Sequence, residues 1–164
     1  STMGLGIEVA TKMHLSNVEG GIDLVDIRAV TAAGDMMLVL RLRPRAPGQA
    51  KTALMAALSG PYLHPKLAIA VDEDIDAEDL RQISWAITTR VHASEDVTMI
   101  PKTRVFALDT ISDRVPGMGP FVRIGTKWMI DATLPVEMSD TDRNEFMAAY
   151  PKNYNDVRLE DFLP

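Results

Sequence analysis

The spacing of apolar and polar residues changes several times along the chain, and each change marks a boundary between predicted elements. Between Gly4 and His14, Leu5, Val9 and Met13 recur every four residues, with Glu8 and Lys12 four apart on another face. That spacing predicts a short amphipathic helix with Leu5, Val9 and Met13 as its apolar stripe. Turn residues follow from Ser16 to Gly21. Ile22 to Val30 and Met36 to Leu42 then read as two strands joined across Ala33-Gly34-Asp35, a β-hairpin. Pro44 and Pro47-Gly48 stop the second strand, and the alanine-rich run Ala50 to Leu58 predicts a helix ending at Gly60-Pro61. Leu67 to Val71 is uninterrupted and apolar between Lys66 and Asp72, the pattern of a central strand covered on both faces.

From Asp72 to Asp79, six of eight residues are acidic. Leu80, Ile83 and Ile87 then mark a helical face, with Asp76 as the expected N-cap and Arg90 near the C-terminal end, where each charge suits the helix dipole. Val97 to Pro101 reads as another strand. Lys102 to Thr126, with Pro116-Gly117, Gly119-Pro120 and Gly125, is expected to be a long and partly irregular connection. Trp128 to Asp131 reads as a last strand, and Ser139 to Asp142 as the cap of a helix through about Ala149, followed by Pro151. The expected architecture is a single α/β domain over residues 1–164, a mixed β-sheet with helices packed on it.

Composition narrows the function. A chain of 164 residues suits one domain. With 17 Lys and Arg against 23 Asp and Glu, the net charge of −6 repels polyanions, so no nucleic acid is expected as partner. The absence of cysteine excludes a disulfide framework, a thiolate metal site and a cysteine nucleophile. No apolar stretch approaches the roughly 20 residues of a membrane span, and Glu8 and Lys12 interrupt any secretory leader, so a cytoplasmic location is expected.

Several residue groups invite a chemical reading and are weighed against a structural one. Asp72, Asp74 and Asp76 have the alternate spacing of a calcium loop, but Ala77 stands where that loop needs glycine and Ile83 where it needs glutamate. A single magnesium between two of these carboxylates is the remaining metal reading; strand terminus, helix cap and solvated acids is the preferred one. His14, His64 and His92 lack helical metal-ligand spacing and read as surface or satisfied histidines. Neither a nucleophile elbow nor a phosphate loop occurs. Trp85 and the ten methionines read as packing. Arg104, Arg114 and Arg123 in the long connection have the chemistry to hold a carboxylate, although loop arginines are usually solvated.

One ordered series of motifs is more specific. A lysine followed by an apolar strand and an acidic turn (Lys66 to Asp76), a W-A-x-x-T-R helix (Trp85 to Arg90), a D-V strand (Asp96-Val97) and Ile130-Asp131-Ala132-Thr133-Leu134-Pro135 together resemble the UbiD decarboxylase family, with Met129 replacing the glycine of its closing motif. The likeness runs from about Gly4 to Tyr150 and corresponds to the last third or so of a typical member. It implies a reversible, non-oxidative decarboxylase of aromatic or α,β-unsaturated carboxylic acids that uses prenylated FMN with a divalent metal (Mn or Mg) and K. The catalytic acids, arginine and metal ligands of such enzymes lie upstream of the part matched, so no catalytic, cofactor-binding or metal residue is assigned here. The chain alone is expected to bind no cofactor and to be inert.

By motif position, the resemblance places Tyr62, Leu63, Arg104, Val105, Phe106 and Ala107 toward the substrate. Ser59 stands where some relatives carry a lysine that reaches the cofactor phosphate. The implied partners are the N-terminal cofactor domain, further copies in a dimer or hexamer, and a small carboxylic acid, with docking expected on a flat apolar face of the hairpin or the C-terminal helix. The alternatives are a separately encoded assembly subunit and, third, a metal-dependent enzyme centred on the acidic turn.

Overall fold

The computed structural model describes residues 1–148 and Glu160. The predicted helix end at Ala149 and the stop at Pro151 fall outside them. Helix α1 (Thr2–Leu15) leads into β1 (Leu24–Ala29), a single 3-10 turn at Thr31–Ala33 and β2 (Met37–Leu42), the predicted hairpin. Helix α2 (Gln49–Leu58) returns the chain to β3 (Leu67–Asp72), and α3 (Leu80–Arg90) follows the acidic turn. After the one-turn α4 (Ala93–Asp96) come β4 (Val97–Val105), β5 (Asp113–Arg114), β6 (Arg123–Ala132) and α5 (Asp140–Ala148). Five strands lie in the order β1-β2-β3-β6-β4, and β5 adds to one end of β6. The β2-β3 and β3-β6 pairs are parallel; β1-β2, β4-β6 and β5-β6 are antiparallel, so the fold is the expected mixed α/β sheet.

Strand periodicity divides the core in two. Leu38, Leu40 and Leu42, Ala68 and Ala70, and Met129 face Ile7 and Leu15 of α1 and Ala50, Ala53, Leu54 and Ala57 of α2. Val39, Ile69, Val71, Ile130 and Ala132 face Ile75, Ile83 and Ala86 on the α3 side. Central β3 is thus covered on both faces, as its unbroken apolar run predicted. The small residues Ala68 and Ala70 lie beneath α1 and α2, and their bulkier neighbours lie on the face toward α3.

Four local expectations are corrected. Helix α1 buries Gly4, Ile7, Thr11 and Leu15, while Leu5, Val9 and Met13 are 51–65 % exposed, so the predicted stripe faces outward. The N-cap of α3 is Asp79, whose carboxylate accepts from Arg81 N at 2.9 Å; Asp76 instead accepts from Glu78 N within the preceding turn. Strand β4 continues to Val105 through a register shift between Ile100 and Thr103, where Lys102 adopts φ +57°. Strand β6 begins at Arg123, five residues before the predicted start at Trp128, and takes up Gly125 because that position faces Val105 and Ser112 closely: a Cβ there would lie 3.2 Å from Val105 Cγ1. The expected cap of α5 is present, with Ser139 Oγ accepting from Asp142 N and donating to Asp142 Oδ2.

Candidate functional site

The acidic turn forms a buried ion-pair node. Asp72 ends β3, and its Oδ2 accepts from Arg90 Nη1 and from Leu134 N, each at 2.8 Å. Asp74, two residues on, receives the other half of the guanidinium fork: Nη1 at 3.0 Å and Nη2 at 2.6 Å. The Arg90 side chain has no exposed surface and carries the Phe146 ring 5.5 Å from its guanidinium carbon. Asp131 accepts from both the amide and the hydroxyl of Thr133, a turn that ends β6 and aims Leu134 N at Asp72. The acidic turn, the helix ending in Arg90 and the I-D-A-T-x-P segment therefore meet at one point. Burial pushes the Asp72 carboxyl upward despite the Leu134 N–H and Arg90; for Arg90 the same burial is outweighed by Asp74 and Asp72, so the guanidinium stays charged. Arg90 engages both Asp72 and Asp74, and no group of three or more side chains able to hold a metal ion occurs among the described residues.

A second assembly forms at the start of β3 and the end of β4. The rings of His64 and Phe106 stack with centroids 3.7 Å apart and planes 26° apart, and Tyr62 meets His64 edge-on at 6.1 Å. Just behind this aromatic rim, Lys66 Nζ lies 2.8 and 3.0 Å from the two carboxylate oxygens of buried Asp109. The turn holding Phe106 is pinned by Asp109 N donating to Phe106 O at 3.0 Å and Ser112 Oγ donating to Asp109 O at 2.6 Å. Burial lowers the His64 pKa, partly offset by the field of Asp35. An open groove of about 420 Å³ flanks the Lys66–Asp109 pair, with Trp128, Met99 and Ile111 along its walls.

Of the six residues expected to face substrate, Tyr62 and Phe106 meet through His64, which the sequence reading treated as an ordinary surface or satisfied histidine. Leu63 is 40 % exposed beside them and Ala107 is half-buried. Val105 is 1 % exposed and packs inward against Gly125, whereas Arg104 is exposed on β4. The three loop arginines do not form one anion cradle: Arg114 is exposed on β5, and Arg123 Nη1 donates to Ser112 O at 2.8 Å. Ser59 donates its hydroxyl to Ala56 O at the end of α2.

Lys127 is a further residue the sequence reading passed over. It is 6 % exposed, and its Nζ donates to Leu58 O, the last residue of α2, at 2.9 Å, anchoring the base of the 59–64 loop; burial lowers its pKa. The signal was alternation, since Lys127 lies two residues before core residue Met129, but it became readable only once β6 was known to begin at Arg123.

The chain matches the model of the 3-octaprenyl-4-hydroxybenzoate carboxy-lyase C-terminal domain over residues 1–132 and belongs to that family, the UbiD family. Among solved structures it is similar to the UbiD-class enzyme HmfF from Pelotomaculum thermopropionicum in complex with FMN (22 % identity, TM-score 0.73, covering 98 % of this chain and 33 % of that one). It is also similar to the 3,4-dihydroxybenzoic acid decarboxylase of Klebsiella pneumoniae (30 % identity, TM-score 0.69, 90 % and 33 %). The vanillic acid decarboxylase of Sedimentibacter hydroxybenzoicus in its open form is a third (29 % identity, TM-score 0.69, 94 % and 32 %). The chain spans about a third of the length of these relatives. Among the described residues, no helix is long and apolar enough to cross a membrane.

Proposed function

We propose that this chain is the substrate-lining and assembly domain of a UbiD-like decarboxylase of aromatic or α,β-unsaturated carboxylic acids, acting in the cytoplasm and catalytically inert by itself. The observation that carries the reading is the family match over residues 1–132, within a chain that spans only a third of its relatives. Prenylated FMN, the divalent metal (Mn or Mg) and K belong, in this reading, to the upstream cofactor domain, where the flavin supplies the chemistry that stabilises the carbanion. This chain contributes shape. Tyr62, Leu63, Phe106 and Ala107 border the acid, Val105 is buried against Gly125 beside them, and Arg104 stands at the outer edge.

Docking follows from where the apolar surface lies. The exposed α1 stripe of Leu5, Val9 and Met13, and the exposed Leu108, Ile111, Met118 and Phe121 around β5, are the faces offered to the cofactor domain and to further copies in a dimer or hexamer. They are proposed beside the hairpin and the C-terminal helix, the faces expected from the sequence. A separately encoded assembly subunit would use the same faces and is the second reading.

The test is release of carbon dioxide from hydroxybenzoate-like and cinnamate-like acids, with prenylated FMN, Mn²⁺ and K⁺ supplied. This chain alone is expected to give no turnover, and the chain joined to its cofactor-binding segment is expected to turn over. Decarboxylation by the isolated chain would overturn the reading.

A further inference from the structure

We propose that His64 is the positioning residue that sets substrate selectivity in this site: its ring holds Phe106 in one orientation and thereby shapes the opening for a flat, unsaturated carboxylic acid. The inference rests on the decarboxylase reading above and deepens it. Residues 62–64 and 106–107 come from segments about 40 positions apart in sequence, and two contacts tie them together. One is the Lys66–Asp109 ion pair at 2.8 Å, which fixes how far apart the segments stand. The other is the His64–Phe106 stack at 3.7 Å and 26°, which fixes how the Phe106 ring is turned.

His64 is the middle ring of the three, because Tyr62 leans on it edge-first at 65°. Its backbone is restrained by the proline that follows: Pro65 is buried, and a residue before proline is confined to extended conformations. Phe106 is restrained on its own side, through its carbonyl, by Asp109 N. Two segments fixed at their bases and joined through stacked rings make a stiff edge, and a stiff edge discriminates by ligand shape. Desolvation favours the uncharged imidazole, which keeps the contact a ring–ring stack rather than a solvated cation at the surface.

The test compares His64→Ala and His64→Phe in the chain joined to its cofactor-binding segment, measuring kcat and KM for an aromatic acid and for an unsaturated acid without a ring. His64→Ala should raise KM for the aromatic acid about 3- to 10-fold, in line with the loss of one aromatic pair, with kcat and the ring-free acid changed less than about 2-fold. His64→Phe keeps a flat ring against Phe106 and should restore the aromatic-acid KM. A merely structural role would move both acids together, and that outcome overturns the inference, as does an unchanged KM in His64→Ala. Failure of His64→Phe to rescue, with the protein folded and cofactor-loaded, overturns it equally. If the unsubstituted joined protein shows no turnover of either acid, the decarboxylase reading itself falls and takes this inference with it; that result is distinct from an active enzyme indifferent to residue 64.

Discussion

The two ends of β3 teach different lessons. At its C-terminal end Asp72 enters a buried ion-pair node: Arg90 takes Asp72 and Asp74, Leu134 N closes on Asp72, and Phe146 covers the guanidinium. Near its N-terminal end, Tyr62, His64 and Phe106 lie half-buried on loops, held by ring contacts and one ion pair at their base. The motifs that make the family recognisable are concentrated at the first end, where they fix the scaffold. The residues proposed to meet substrate are at the second, in short loops whose sequence carries little signal. A recognisable motif thus marks the part of the fold that demands particular side chains for stability, and here that part is not where the proposed chemistry is shaped.

The largest expected effect breaks this contrast at the node. Arg90→Met removes the cation between buried Asp72 and part-buried Asp74 and should destabilise the domain by about 3–5 kcal/mol in urea denaturation. A loss below about 1 kcal/mol would show that the acids find other partners. Gly4→Ala comes next. A Cβ at position 4 would lie 2.9 Å from Asp35 Oδ1 and 3.0 Å from Ser1 Oγ, and Asp35 is buried at φ +59°, so the contact cannot relax cheaply. The expected cost is about 1–3 kcal/mol by the same measurement.

Lys127→Met sharpens the contrast on the side of the loop. Because burial lowers the Lys127 pKa, the unfolded chain holds a proton that the folded chain releases in the window below 10.5. The penalty for the buried charge is therefore present at neutral pH and lifts as pH rises through that window. Wild-type stability should rise relative to Lys127→Met between pH 7 and 10, and parallel curves would refute the burial argument. His64 gives a smaller effect with an acidic window. Its pKa lies below 6.5, so its contribution is intact above that pH and is lost as pH falls through the lowered folded value. A chemical-shift titration of the imidazole should show the low midpoint, and His64→Phe should remove the corresponding step in stability. Smallest of all, Leu5→Ser, Val9→Ser and Met13→Ser should each change the stability of this chain by no more than about 0.5 kcal/mol, since each residue is more than half exposed.

Much of the fold was legible because hydrophobic runs and turn residues agreed. The Leu67–Val71 run, the alanine-rich α2 and the hairpin all fell where their patterns put them. The phase of α1 did not. Leu5, Val9 and Met13 make a clean four-residue repeat, yet the face that packs uses Gly4 and Thr11 beside Ile7 and Leu15, because close approach to β1 and the Asp35 turn favours small side chains there. The pattern puts the ends of β4 and β6 inside the irregular connection Lys102 to Thr126, on the ground of Pro116-Gly117, Gly119-Pro120 and Gly125; in the sheet Lys102 lies at an edge-strand register shift and Gly125 in a crowded contact with Val105, which only long-range pairing reveals. At the site, the six nominated residues followed from likeness alone. The stacking of His64 on Phe106 joins positions 42 residues apart, a contact without periodicity in the sequence.

The central claim is that scaffold and substrate edge are separate, with the edge completed by an upstream cofactor domain. Amide hydrogen exchange on this chain, alone and joined to its cofactor-binding segment, tests it most directly. Peptides spanning 60–66 and 104–112 should gain protection on joining, while those containing Asp72 to Asp76 and Ile83 to Arg90 should be slow in both states. Unchanged exchange at the aromatic rim, or protection that appears only at the Arg90 node, would contradict the account.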